Sequence, residues 1–263
     1  MTQTFVRLAG RVEPAFQSAT MLEASARLPE GLYTTLRTYR GRGILRPEAH
    51  AARLSRRGFT LGRDEILFVL REALDRTAFP ETRVRLTYAP PELFVSVEPF
   101  EPLPAALYGS GVACVTLPLA REDPGAKSTS FIATAARAYA ELPEGIHEGL
   151  MVAADGSILE GLSSNVFFVA FGSLFTEGAR VLPGVTRSLV LEVAAGVLPV
   201  REEALNRSSL KDADEAFLSS VSRGILPVVR IDGAGLGRGV PGPIAQILGA
   251  RLQSLATREV VVV

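Results

Sequence analysis

Polarity alternates residue by residue over 31–45 (GLYTTLRTYRGRGIL), a period of two that predicts two strands meeting at an Arg-Gly-Arg-Gly turn. A second alternating pair, 83–89 and 93–100, predicts another hairpin across Pro90-Pro91. Between them the period lengthens. Pro47 opens a predicted helix through His50, Arg53 and Leu54, at a position where proline costs no hydrogen bond. Asp64 is the expected cap of the next, in which Ile66, Leu67, Leu70 and Leu74 share a face. Downstream come a strand at 111–117, a helix over 128–142, and strands from 149 to 176 broken at Asp155-Gly156. A helix over 186–198, strands at 215–220 and 225–232, and a helix from about 242 to 256 complete the pattern. Strands cluster and helices interrupt them without a regular strand–helix–strand beat, which predicts an α+β fold. The polar stretch holding Pro124 and Gly125 predicts a boundary: residues 1–118 as a small domain, 119–126 as linker, 127–263 as a larger domain.

Composition narrows the chemistry. The 263 residues carry 28 Lys+Arg against 28 Asp+Glu, so there is no electrostatic case for nucleic acid or an anionic membrane surface. The single Cys114 excludes an intrachain disulfide framework, and His50 and His147 form no ligand motif, so no metal is expected. The first residues, MTQTFVRLAGRVEP, hold no apolar core of signal-peptide length, no segment approaches the apolar length of a membrane span, and the expected setting is the cytoplasm. One imbalance stands out. Only two of the 28 basic residues are lysines, Lys127 and Lys211.

Arginine can replace lysine as a surface cation, but it cannot become a neutral amine. Lys127 precedes a predicted helix, where the dipole disfavours a cation and favours the neutral amine that Schiff-base chemistry needs. A solvated lysine near a helix start is the plain alternative. Glu160 ends an apolar strand and calls for a partner, unless it lies at a sheet edge. Gly184-Val185-Thr186 opens a helix and suits either an anion cup or an ordinary cap. Arg83 and Arg85 alternate on one strand, so both can meet a substrate carboxylate or a solvated edge.

Four blocks in order, GLYTTLR (31–37) with EAHAARL (48–54), then Lys127, then LEGLSSNVF (159–167) with PGVTR (183–187), then DADEAFLSS with GILPVVRIDG (212–233), resemble the class IV aminotransferase family. The resemblance implies a two-domain enzyme of fold type IV, with a small N-terminal α/β sandwich and a larger β-barrel-like domain carrying helices. It implies pyridoxal 5'-phosphate as cofactor and a homodimer acting on a small amine or amino acid. Lys127 would hold the cofactor as a Schiff base and move protons. Glu160 would pair with the ring nitrogen, and Arg53 would grip the phosphate. Val185 and Thr186 would complete the phosphate cup, with Ser220 and Val221 opposite. Leu182 would pack on the ring beside Ser164 and Asn165, and Tyr33, Thr35, Arg83 and Arg85 would face the substrate. Thr34-Thr35 and Gly224 resemble the lyase branch, which releases pyruvate from 4-amino-4-deoxychorismate to give 4-aminobenzoate. EGLSSNVF resembles the transaminases of D-amino acids, and a D-amino-acid or branched-chain transaminase is the alternative. Ile132 and Val221 depart from residues common in relatives.

Overall fold

The computed structural model describes residues 1–55 and 60–263. Its first elements are β1 (Thr2–Leu8), β2 (Arg11–Ser18), α1 (Met21–Ala26), β3 (Leu32–Tyr39), β4 (Gly43–Leu45), α2 (Pro47–Leu54), α3 (Arg63–Leu74), β5 (Thr82–Ala89), β6 (Glu92–Pro99) and α4 (Ala105–Ser110). There follow β7 (Val112–Leu117), α5 (Ser130–Ala140), β8 (Ile146–Val152), β9 (Ile158–Gly161), β10 (Asn165–Ala170), β11 (Ser173–Phe175), α6 (Val185–Ala194) and β12 (Val200–Arg201). A 3-10 turn (Arg207–Asp212), β13 (Ala213–Ser220), β14 (Gly224–Ile231), β15 (Ala234–Gly235), α7 (Pro243–Glu259) and β16 (Val260–Val262) end the chain. The fold is α+β. Contacts sort it into one unit of residues 1–102, 126–133 and 255–263, and another of 103–125 and 134–254. Residues 126–133 join the first unit for a local reason. The Tyr33 N–H donates to the Lys127 carbonyl at 2.8 Å, and the Thr129 N–H donates to that of Gly31 at 2.9 Å.

The first unit is a seven-stranded sheet in the order β16-β4-β3-β5-β6-β1-β2. The period of two sends Leu36, Val84, Leu86, Val95 and Val97 into a core with Leu54 of α2 and Ile66, Val69 and Leu70 of α3. Each such side chain contributes about 1.5–3 kcal/mol by leaving water. The opposite face is polar. There Tyr33, Thr35 and Arg37 of β3 stand across from Thr87, Arg85 and Arg83 of β5.

In the second unit β10, β13, β14, β7, β8 and β9 are neighbours in that order, and the pair Asn165↔Glu160 joins β10 to β9 and closes a six-strand barrel. Strand β7 runs parallel to both β14 and β8, and the remaining barrel pairs are antiparallel. Cys114, Leu150, Ile158, Val166, Phe168, Leu218 and Leu226 pack together as its core. On the alternate face Phe167 and Phe217 stack with ring centroids 5.1 Å apart, and α6 lies against β13.

Some local expectations change. Gly62, not Asp64, occupies the cap of α3, and Asp64 and Glu65 fall in the first turn, where carboxylates suit the dipole. Helix α6 stops at Ala194, just before Gly196 at φ +74°. The N-terminal hairpin β1–β2 has no counterpart in the sequence reading, because Pro14 and a register shift at Thr4/Phe5 interrupt its alternation. Among the described residues no helix is long and apolar enough to cross a membrane.

Candidate active site

Lys127 lies in the first unit, beside the polar sheet face. Its Nζ is 4.9 Å from the centroid of the Tyr33 ring, and the guanidinium of Arg85 lies 4.8 Å from the same centroid. Arg85 also donates to the Ser25 hydroxyl at 2.5 Å, and its buried Nε has no partner among the described atoms. Burial is the main influence on Arg85 and lowers its pKa, with Tyr33 and Glu98 acting against this and Arg83 reinforcing it. Arg83 is different. Its guanidinium is engaged by Glu98, at 2.6 Å through Nε. The sheet therefore separates two arginines that the alternation pattern treats as equivalent. Thr35, directly opposite Arg85, is half-buried on the same face.

Arg53 occupies the last turn of α2, where a cation complements the dipole. One turn earlier, His50 is buried, with Nδ1 2.7 Å from the Thr34 hydroxyl. Its pKa falls from 6.5 to about 3, chiefly through burial and then through the charges of Arg53 and Lys127. Unfolding between these values takes up a proton at His50, so its contribution to stability is full above pH 6.5 and declines as pH falls. Urea unfolding should show the wild-type protein about 2 kcal/mol less stable at pH 5 than at pH 7 through this residue. His50→Gln should remove that difference; an unchanged pH slope in the variant would refute the assignment.

In the second unit, Glu160 is buried at the end of β9. Its Oε1 accepts from Arg121 Nε at 2.8 Å and from the Leu182 N–H at 3.2 Å, while Oε2 accepts from Asn165 Nδ2 at 3.2 Å. Asn165 Nδ2 also donates to the Leu182 carbonyl at 2.9 Å. Nearby, a Cβ on Gly184 would lie 2.1 Å from Asn165 Oδ1, so only glycine permits this approach. Gly184 is the N-terminal cap residue of α6 and, having no side chain, offers the helix no side-chain cap. Val185 and Thr186 follow as its first, buried residues. Arg187, also buried, pairs with Glu202 at 2.9 Å. Ser219, across from Asn165 on β13, has a buried hydroxyl without a partner among the described atoms. Ser220 accepts the Arg223 N–H at 3.3 Å, which holds the turn containing Val221.

A second buried carboxylate lies beneath the β9–β10 connection. Glu148 accepts from Tyr139 at 2.5 Å, Ser164 at 2.9 Å, Arg223 at 3.1 Å and Ser163 at 3.3 Å. Burial, then the Glu148 charge, push the Tyr139 phenol pKa upward. Sequence reasoning missed Glu148, Tyr139, Arg223, Arg121 and Ser219. Glu148 was within reach, since a carboxylate inside the apolar run IHEGLMV carries the same signal as Glu160. Arg121 was not, because one arginine among 26 in a polar linker has no distinguishing neighbour.

Residues 31–231 match the family described as amino-transferase class IV. The chain belongs to this family of enzymes. Among relatives of the class IV aminotransferases, the branched-chain-amino-acid aminotransferase of Escherichia coli (strain K12) is 37% identical over 118 residues, 44% of this chain and 38% of that protein. The D-alanine aminotransferase of Bacillus licheniformis is 34% identical over 108 residues, 40% of this chain and 38% of that protein. The matched stretch thus spans well under half the length of these curated relatives. A putative branched-chain amino acid aminotransferase from Thermotoga maritima superposes with a TM-score of 0.80 at 26% identity, covering 97% of this chain and 96% of that one. A hypothetical aminotransferase from Mycobacterium tuberculosis, solved in its PLP-bound form, has a TM-score of 0.73 at 26% identity over 96% of this chain and 98% of its own. The barrel with a separate sheet is the fold-type-IV architecture.

Proposed function

We propose that this class IV aminotransferase uses pyridoxal 5'-phosphate to move an amino group between an amino acid and a 2-oxo acid. The observation that carries the reading is Lys127, one of two lysines in the chain, standing against Tyr33 with Arg85 on the same ring. An amine beside an arginine with no carboxylate at ion-pair distance among the described residues matches a substrate that presents an amine beside a carboxylate. The engagement of Arg83 by Glu98 supports Arg85 as the group that would meet the carboxylate, with Tyr33 and Thr35 beside it.

The second unit's residues fit the cofactor's chemistry. The uncapped start of α6 leaves the N–H groups of Val185 and Thr186 for a phosphate, and the orphaned hydroxyl of Ser219 is a buried donor that a bound group can satisfy. Arg53, Ser220 and Val221 would add to the phosphate contacts, and Leu182 would pack on the ring with Ser164 and Asn165 at its side. Bound there, the cofactor supplies a ring that takes up the electron pair released when the substrate loses its α-proton. Lys127 would hold the cofactor and then carry that proton. Glu160 would keep the ring nitrogen protonated.

The names of the relatives support amino transfer ahead of the pyruvate release suggested by Thr34-Thr35 and Gly224. Protein loaded with the cofactor and mixed with branched-chain amino acids or D-alanine should lose its visible absorption band as the pyridoxamine form accumulates. Pyruvate release from 4-amino-4-deoxychorismate, with no such spectral change, would replace this reading with the lyase. The expected homodimer belongs to the same proposal.

A further inference from the structure

Arg121 lies on the segment between β7 and α5, with its side chain 5% exposed against 3% for Glu160. Three donors converge on that carboxylate: Arg121 Nε, the Leu182 N–H and Asn165 Nδ2. Of these three donors two are neutral, and Arg121 brings a full positive charge. The difference matters for where a proton can reside. A carboxylate removed from water without a counter-charge is a strengthened base and takes up a proton. A guanidinium at hydrogen-bond distance reverses this, because it stays charged and stabilises the ionised form.

Consider a ring nitrogen facing Glu160, as the transaminase reading on which this inference rests requires. One proton then lies between two bases, and it sits on the ring only while the carboxylate is the weaker of the two. Without Arg121 the proton would pass from the ring nitrogen to a Glu160 oxygen, one N–H bond exchanged for one O–H bond. The ring would be neutral and a poorer acceptor of electrons. We propose that Arg121 is a positioning residue that keeps this shared proton on the cofactor ring, acting through Glu160. The Asn165 amide and Leu182 N–H fix the carboxylate's orientation, while Arg121 fixes its charge.

The test loads wild type, Arg121→Gln, Arg121→Met, Arg121→Lys and Glu160→Gln with cofactor labelled with nitrogen-15 in the ring. The ring nitrogen resonance then reports its protonation directly. Wild type should show a protonated ring at neutral pH. Arg121→Gln should show the unprotonated signal, and its kcat for amino transfer should fall about 10- to 100-fold with little change in KM, the pattern of a lost transition-state effect. Arg121→Met fills the volume without charge and gives the same comparison should the glutamine variant not fold. Arg121→Lys should restore the protonated signal. A wild-type resonance in both neutral variants would overturn the role of Arg121. A wild-type resonance in Glu160→Gln, or a wild-type protein that takes up no cofactor, would instead remove the underlying reading and this inference with it.

Discussion

Lys127→Arg should yield a folded protein that has lost amino transfer by at least about 10³-fold, within the range attributed to a single acid–base group before any covalent role is counted. The substitution is conservative in every structural respect on view. Arginine keeps the positive charge over the Tyr33 ring, where guanidinium groups bind at least as well as ammonium. It also keeps the backbone pairing, because the Tyr33 N–H meets the carbonyl of residue 127 and not its side chain. What it cannot keep is an amine able to lose its proton. The thermal midpoint should therefore remain near that of wild type while kcat collapses. Lys211, in the 3-10 turn, supplies the matched control, and Lys211→Arg should leave turnover unchanged. Activity within tenfold of wild type in Lys127→Arg would show that the amine is not the reacting group. Borohydride reduction followed by peptide mapping should place the cofactor on residue 127 in the wild-type protein.

Glu148→Ala should destabilise the protein by about 3–5 kcal/mol, the cost of stranding one member of a buried ion pair. Glu148 is fully buried, the Arg223 side chain is 15% exposed, and the same carboxylate holds Tyr139, Ser163 and Ser164. Removal leaves a cation and several hydroxyls without their acceptor. Urea denaturation measures the loss, and a midpoint close to wild type would mean that the network relaxes or hydrates at little cost. Arg223→Met in the Glu148→Ala background should recover part of the loss, because it deletes the orphaned charge. The same variant should weaken cofactor binding, since Ser164 precedes Asn165 and Glu148 holds its hydroxyl.

The hairpins β3–β4 and β5–β6 were legible because their information is local: alternation and turn residues lie within a few positions of each other. Helix α2 was legible for the same reason, through Pro47. The barrel was not. Its assembly depends on β7 lying parallel to β14, more than a hundred residues later, and long-range pairing leaves no periodic mark in either strand. The site divides along the same line. Lys127 and Glu160 could be singled out because a scarce residue type and a carboxylate in an apolar strand are anomalies within a short window. The difference between Arg83 and Arg85 could not, since it arises from Glu98 and Ser25, which belong to other elements. Arg121 was hidden in the same way, its significance lying wholly in a partner 39 residues away.

The barrel is completed where Glu160 meets Asn165. The overlap is short, and the two residues that form it are also joined through their side chains to each other and to Leu182. If a small molecule engages Glu160 as proposed, it should tighten this fastening, and its departure should loosen it. Amide exchange at residues 160 and 165, compared with and without added cofactor, would then read occupancy as barrel integrity.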